Sequence, residues 1–155
     1  MNLKLHALAP EDGAQHLALA ERALADSAAT YLADSNTTVA PGTAARLLAE
    51  IDERVESVAV VAEAEDEPHP MAFCLTTPLH DPLVAERTAC ILALWVDPRL
   101  RHRGVARALV REVRRLLAER GVTRISARVG HTDDALISMG ERWGFVRAWE
   151  LMVHE

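Results

Sequence analysis

A chain of 155 residues, half of them apolar, falls within the size range of one domain and can bury a sizeable core. Its formal net charge of -6 argues against a nucleic-acid binder, which would carry a basic excess, and no apolar run reaches the roughly 18 residues of a membrane span. Cys74 and Cys90 sit in apolar runs without a Cys-x-x-Cys spacing and read as reduced, buried thiols. With a first segment, Met1–His6, that lacks the apolar region of a signal peptide, they predict a cytoplasmic protein.

In chain order, Leu3–Leu8 alternates and predicts a short strand. Pro10-Glu11-Asp12 opens a helix running to Tyr31, because proline fits a first turn and carboxylates suit the helix dipole. The polar stretch Asp34–Gly42 predicts a loop. Leu47, Leu48, Ile51 and Val55 then share one face of a second helix, Thr43–Val55. Val58–Ala64 and Met71–Thr77 read as two strands of a hairpin around the acidic turn Glu65–Pro68, with a loop at Pro78–Leu83. Thr88–Val96 is continuously apolar and predicts a central strand covered on both faces.

Gly104–Arg120 carries an apolar stripe of Val105, Leu109, Val113, Leu116 and Leu117, with Arg107, Arg111, Arg114 and Arg115 on a solvated face and Gly121 as its terminal cap. Thr123–Val129 predicts a strand parallel to Thr88–Val96, since a helix crosses between them. Thr132–Trp143 predicts a short helix and Phe145–Val153 a closing strand, whole or split in two. The order is β-α-α-β-β-β-α-β-α-β(-β), an α/β or α+β chain with a mixed sheet.

Charge is unevenly spread. Residues 99–120 hold eight arginines against Glu112 and Glu119, leaving nine basic against twenty-one acidic residues elsewhere. The basic segment begins where an apolar strand ends and a helix starts. A helix N-terminus leaves about four N–H groups without internal partners, and with the dipole these hold phosphate oxygens. Gly104 has no side chain to block a close approach, Ala106 adds only a methyl, and Arg99, Arg101 and Arg103 supply permanent charge. The expected ligand is phosphorylated.

Arg101-x-x-Gly104-x-Ala106, preceded by Val96-x-Pro98, resembles the acyl-CoA loop of the GNAT superfamily of N-acetyltransferases, Arg/Gln-x-x-Gly-x-Gly/Ala. Glu141-Arg142-Trp143-Gly144-Phe145, about forty residues downstream, is similar to the Glu-Lys-Leu-Gly-Phe that ends the last helix of that family. The resemblance covers most of the chain in layout and these two segments in sequence. It implies one N-acetyltransferase domain over 1–155, with a mostly antiparallel mixed sheet of six to seven strands and two helices on each face.

It also implies that CoA diphosphate lies on the backbone of Arg101, His102, Arg103, Gly104, Val105 and Ala106, with Arg107 one turn on, near the 3′-phosphate. The pantetheine arm would run beside Leu94, Trp95 and Val96, where that strand parts from Thr123–Val129. Acetyl-CoA is then the co-substrate, no metal is required, and Tyr31–Gly42 borders the acceptor pocket. The expected reaction is transfer of an acetyl group to a primary amine of a small molecule or peptide.

The family's usual proton carriers are replaced. Its Tyr before the Glu-Lys-Leu-Gly-Phe segment falls on Gly140, its strand Glu falls near Ala93, and its helix-start Asn is replaced by Asp133. His131, Asp133 and Glu63 are the candidate substitutes, with Ser138 a further relay. The losses are bounded, because acid–base help is worth roughly 10²–10⁴-fold whereas positioning supplies on the order of 7–11 kcal/mol. A non-catalytic acyl-CoA-binding module is the alternative. For Asp133 and Asp134 helix capping competes with catalysis, for Trp95 core packing competes with a place at the acyl group, and for His131 an ordinary loop role is an equal reading. The acidic remainder favours a cationic acceptor over a nucleic acid or a membrane; monomer or homodimer stays open.

Overall fold

The computed structural model describes residues 2–32, 38–148 and 152. Strand β1 (Leu3–Ala7) leads into a 3-10 helix at Pro10–His16 and then α1 (Leu17–Tyr31). Helix α2 (Thr43–Ala49) precedes strands β2 (Ala59–Ala64), β3 (Ala72–Leu79) and β4 (Thr88–Val96). After a 3-10 turn at Pro98–Leu100 come α3 (Val105–Glu119), β5 (Arg124–Ala127) and α4 (Asp134–Arg142).

The five strands form one sheet in sequence order, antiparallel except for the parallel pair β4 and β5. Val58, Val60, Ala62, Ala72, Cys74, Ala89 and Ile91 meet the stripe Val105, Leu109, Val113 and Leu117 of α3 on one face. Ala59, Val61, Phe73, Leu75, Ala93 and Trp95 meet Ala20, Ala23 and Leu24 of α1 and Leu47 and Leu48 of α2 on the other. Strand β4 is covered on both faces, which explains its unbroken apolar run.

Several expectations need correction. The sheet has five strands among the described residues, not six to seven. Residues 145–148 are irregular instead of the start of a closing strand, and the rest of that expected strand, apart from residue 152, lies outside the described residues. Helix α4 rests on the α3-side core through Trp143 and the following Phe145, and none of its own residues is buried, so the two-helices-per-face layout is only loosely met. Pro10–His16 is 3-10 instead of α-helical.

Helix α2 stops at Ala49, six residues early. Asp52 turns left-handed at φ 64 and donates its N–H to Ser57 O, which keeps Ile51 buried while ending the helix. Strand β3 runs through Pro78 into the expected loop. Strand β2 begins at Ala59 opposite Leu75, so at Pro78 the β2 side carries no ladder for a missing N–H to break.

Candidate active site

Pairing between β4 and β5 ends at Ile91 and Ala127, while β4 continues to Val96. The β5 side of Leu92–Val96 therefore has no strand partner among the described residues, and the parting of strands that the resemblance implies is present. The opening coincides with a slip in the β3–β4 register: Leu75 faces Ala93 but Thr76 faces Ile91, so Leu92 is an extra residue. Such a bulge bends a strand and re-aims the side chains beyond it. Leu92 and Ala93 both pack toward α1, after which Leu94 and Val96 face α3 and Trp95 faces α1. The Leu94 N–H donates to Ser27 Oγ on α1 at 3.1 Å. Trp95 is buried in the core, with the Arg22 guanidinium 5.7 Å from its ring centroid.

The turn after β4 is built by its own side chains. Asp97 accepts from the Arg99 backbone N–H at 2.9 Å and from the Arg99 guanidinium at 3.1 Å. The hydrogen bonds from Arg99 hold the Asp97 carboxyl below its usual range. Arg99 also bonds Glu67 at 3.0 Å, from the β2–β3 turn. Its charge is therefore committed to the protein's own carboxylates, contrary to the expectation that it serves a ligand. Leu100 is buried and pins the turn to the core. Arg101 Nε donates to Val96 O at 3.3 Å, tying the loop back to the strand end.

Beyond that tie the backbone turns left-handed twice, at His102 (φ 62) and Gly104 (φ 80). An added Cβ at Gly104 would meet nothing within 4 Å, so backbone conformation, not crowding, asks for glycine. The first helical bond of α3 runs from Ala108 N to Gly104 O. The preceding amides, His102 through Arg107, have no acceptor among the described residues. They form a run of main-chain donors at the positive end of a 15-residue helix, flanked by exposed Arg103 and Arg107.

A groove of about 270 Å³ continues from this end between α3 and α4, lined by Arg107, Val110, Arg111, Arg114, Arg142 and Trp143. Trp143 and Gly144 belong to the second motif. There Phe145 N bonds Gly140 O at 3.0 Å and Gly144 N bonds Glu141 O at 3.0 Å, a double closure that ends α4 and turns the chain. The motif thus positions one wall of the groove.

The three candidate proton carriers are not brought together. Asp133 is the N-cap of α4, its carboxylate accepting from Leu136 N at 3.0 Å. His131 is exposed in the β5–α4 loop, at the same end of the sheet as the Asp97–Gly104 turn. Glu63 lies two strands from β4, roughly 10 Å by strand spacing. Its carboxylate sits between His6 Nε2 at 3.7 Å and the buried His16 Nε2 at 4.0 Å. Ser138 is exposed on α4.

Sequence reasoning missed Ser27, a serine among alanines inside a helix, and Ser126 of β5, whose buried hydroxyl has no partner among the described residues. Neither carries a local signal. The described residues contain no cluster of His, Cys, Asp or Glu suited to a metal and no helix long and apolar enough to cross a membrane.

Among curated proteins, none is similar enough in sequence to match the chain. Solved structures do match its fold. A predicted acetyltransferase with acetyl-CoA from Clostridium acetobutylicum has a TM-score of 0.73 at 14% identity, covering 99% of this chain and 96% of that one. The aminoglycoside N-acetyltransferase AAC(6')-Iy in complex with CoA has a TM-score of 0.69 at 14% identity, covering 99% and 94%. A ribosomal-protein-alanine N-acetyltransferase from Brucella melitensis biovar Abortus 2308 has 0.64 at 15% identity, covering 99% of each. The acetyltransferase (GNAT) family matches residues 12–145. With strands that part beside a run of main-chain amides, and a family match over most of its length, the chain belongs to the GNAT acetyltransferase family.

Proposed function

We propose that this chain, as one domain over 1–155, is an acetyl-CoA-dependent N-acetyltransferase acting on a primary amine of a small molecule or peptide. The observation that carries the reading is the run of amides from His102 to Arg107 with no acceptor among the described residues, at the end of a strand that β5 has already left. The CoA diphosphate would accept from those amides, with Arg101, Arg103 and Arg107 around it. Pantetheine would lie along Leu94–Val96, and the adenosine end would reach the Arg107–Trp143 groove.

The acyl carbonyl would then lie near the bulge. Neutral amine nitrogen attacks the carbonyl carbon, the π pair moves to oxygen beside the Leu94 N–H, and its return expels CoA thiolate. A thiol with a pKa about 8.5 leaves tolerably without an acid, so Gly140 in the usual Tyr position slows the reaction without forbidding it. His131 is the proton carrier that this reading favours, since the β5–α4 loop that holds it lies at the same end of the sheet as the Asp97–Gly104 turn. The named solved relatives act on aminoglycosides and on ribosomal-protein alanine, so cationic amines and peptide N-termini are the acceptors to try first. A cytoplasmic location fits Cys74 and Cys90, both free and buried.

The test is thiol release from acetyl-CoA across such an amine panel, together with calorimetric titration of CoA. Turnover with at least one amine is expected. CoA binding without turnover would instead support the acyl-CoA-binding module, which Gly140 and the dispersed proton carriers favour. No CoA binding would remove both.

A further inference from the structure

We propose that Ser27 of α1 is a second hydrogen-bond donor to the thioester oxygen, and so a catalytic residue of the acetyl transfer. The inference rests on the function proposed above, in which Leu94 supplies the main-chain donor.

A serine within a helix ordinarily faces solvent or bonds the carbonyl one turn back. Ser27 does neither: it reaches across to the strand and accepts from the Leu94 N–H at 3.1 Å. That amide needs an outside acceptor because β5 has already left β4 at Ile91. A hydroxyl carries one donor and two acceptor lone pairs. Accepting from Leu94 leaves the Ser27 O–H unspent, and it has no acceptor among the described residues. The half-buried hydroxyl thus marks where an oxygen can bond the Leu94 amide.

A carbonyl oxygen arriving there takes over the Leu94 N–H. The serine oxygen, displaced from that bond, remains beside the same oxygen and can turn its O–H toward it. The acceptor nitrogen then forms a bond to the carbonyl carbon while the π pair moves onto oxygen, where the N–H and the O–H both meet the new charge. Collapse restores the C=O bond, breaks C–S and releases CoA thiolate; the nitrogen's extra proton passes to the proton carrier of the proposed function, His131, and on to solvent. Serine neither gains nor loses a proton.

The test is infrared spectroscopy of acetyl-CoA labelled with ¹³C at the carbonyl and bound to the full chain. It needs no knowledge of the acceptor. The carbonyl stretch should fall on binding, the fall should shrink in Ser27→Ala, and Ser27→Thr, which keeps a hydroxyl, should restore it. The affinity for CoA, which has no acyl carbonyl, should be the same in all three. With any amine that turns over, Ser27→Ala should lower kcat by about 10²–10³, the usual cost of losing one such donor. A carbonyl stretch in Ser27→Ala equal to that of the unaltered protein would overturn the proposal and leave the proposed function standing. Failure of the unaltered protein to bind acetyl-CoA would overturn the proposed function itself.

Discussion

Replacing Gly104 tests the phosphate loop most directly, because the structure separates two effects there. The residue is left-handed at φ 80, and a Cβ would point into open space. Gly104→Ala therefore meets only backbone strain. That strain is about 1–2 kcal/mol for an L-residue, offset by about 0.4–1 kcal/mol from a stiffer unfolded chain. For a protein of this size the net should lower Tm by roughly 1–4 °C. Gly104→Glu adds the same strain and places a carboxylate among the donors proposed to hold phosphate. Two phosphate charges at roughly 5 Å, with an effective dielectric of about 40–80, repel it by about 2–3 kcal/mol. That corresponds to a loss of CoA affinity of roughly 10–10²-fold. Calorimetric titration, with circular dichroism to check folding, reads the difference. A folded Gly104→Glu protein that binds CoA as tightly as Gly104→Ala does would refute the placement of the diphosphate.

Two further predictions concern stability and reactivity. Arg99 holds the Asp97 carboxyl below its ordinary value of 3.8, so the Asp97–Arg99 interaction stabilises the fold above that pH and is lost as pH falls through the lowered folded value. Urea unfolding at pH 5 and pH 3 should show a smaller acid-induced loss of stability in Arg99→Ala than in the unaltered protein, and equal losses would contradict the assignment. Burial pushes the Cys74 thiol up to about 12, so it should resist a thiol reagent at pH 8 in the folded protein and react once urea unfolds the chain. Rapid labelling of native Cys74, detected by mass spectrometry, would count against a tightly packed core on the α3 side of the sheet.

The parts legible from sequence were those with one dominant period. Strand β4 has the predicted bounds, and α3 starts and stops at Gly104 and Gly121 as its stripe and caps require. The bulge was not legible, because Ile91-Leu92-Ala93-Leu94-Trp95 is apolar throughout and an unbroken run carries no phase to slip. The engagement of Arg99 was hidden for a different reason: its partner Glu67 is 32 residues away in the chain. Helix α2 kept its predicted buried face at Leu47, Leu48 and Ile51 but lost its last turns to the backbone geometry of Asp52, which periodicity does not register. The turn that opens α3, with Gly104 left-handed at its N-cap, was readable from glycine, proline and arginine spacing. The hydroxyl on the Leu94 amide was not, since Ser27 and Leu94 are 67 positions apart.

The extra residue at Leu92 makes the length of this strand as consequential as its composition. Deleting Leu92 would let the ladder close without a slip, with Ile91 and Ala93 in ordinary alternation and every later residue still opposite its present β3 partner. What would go is the bend beside the parting of β4 from β5, and with it the aim of the Leu94 amide at Ser27. Conservative apolar exchanges at these positions leave that bend untouched. Along Ile91–Val96, relatives should accordingly vary in residue type far more freely than in residue number.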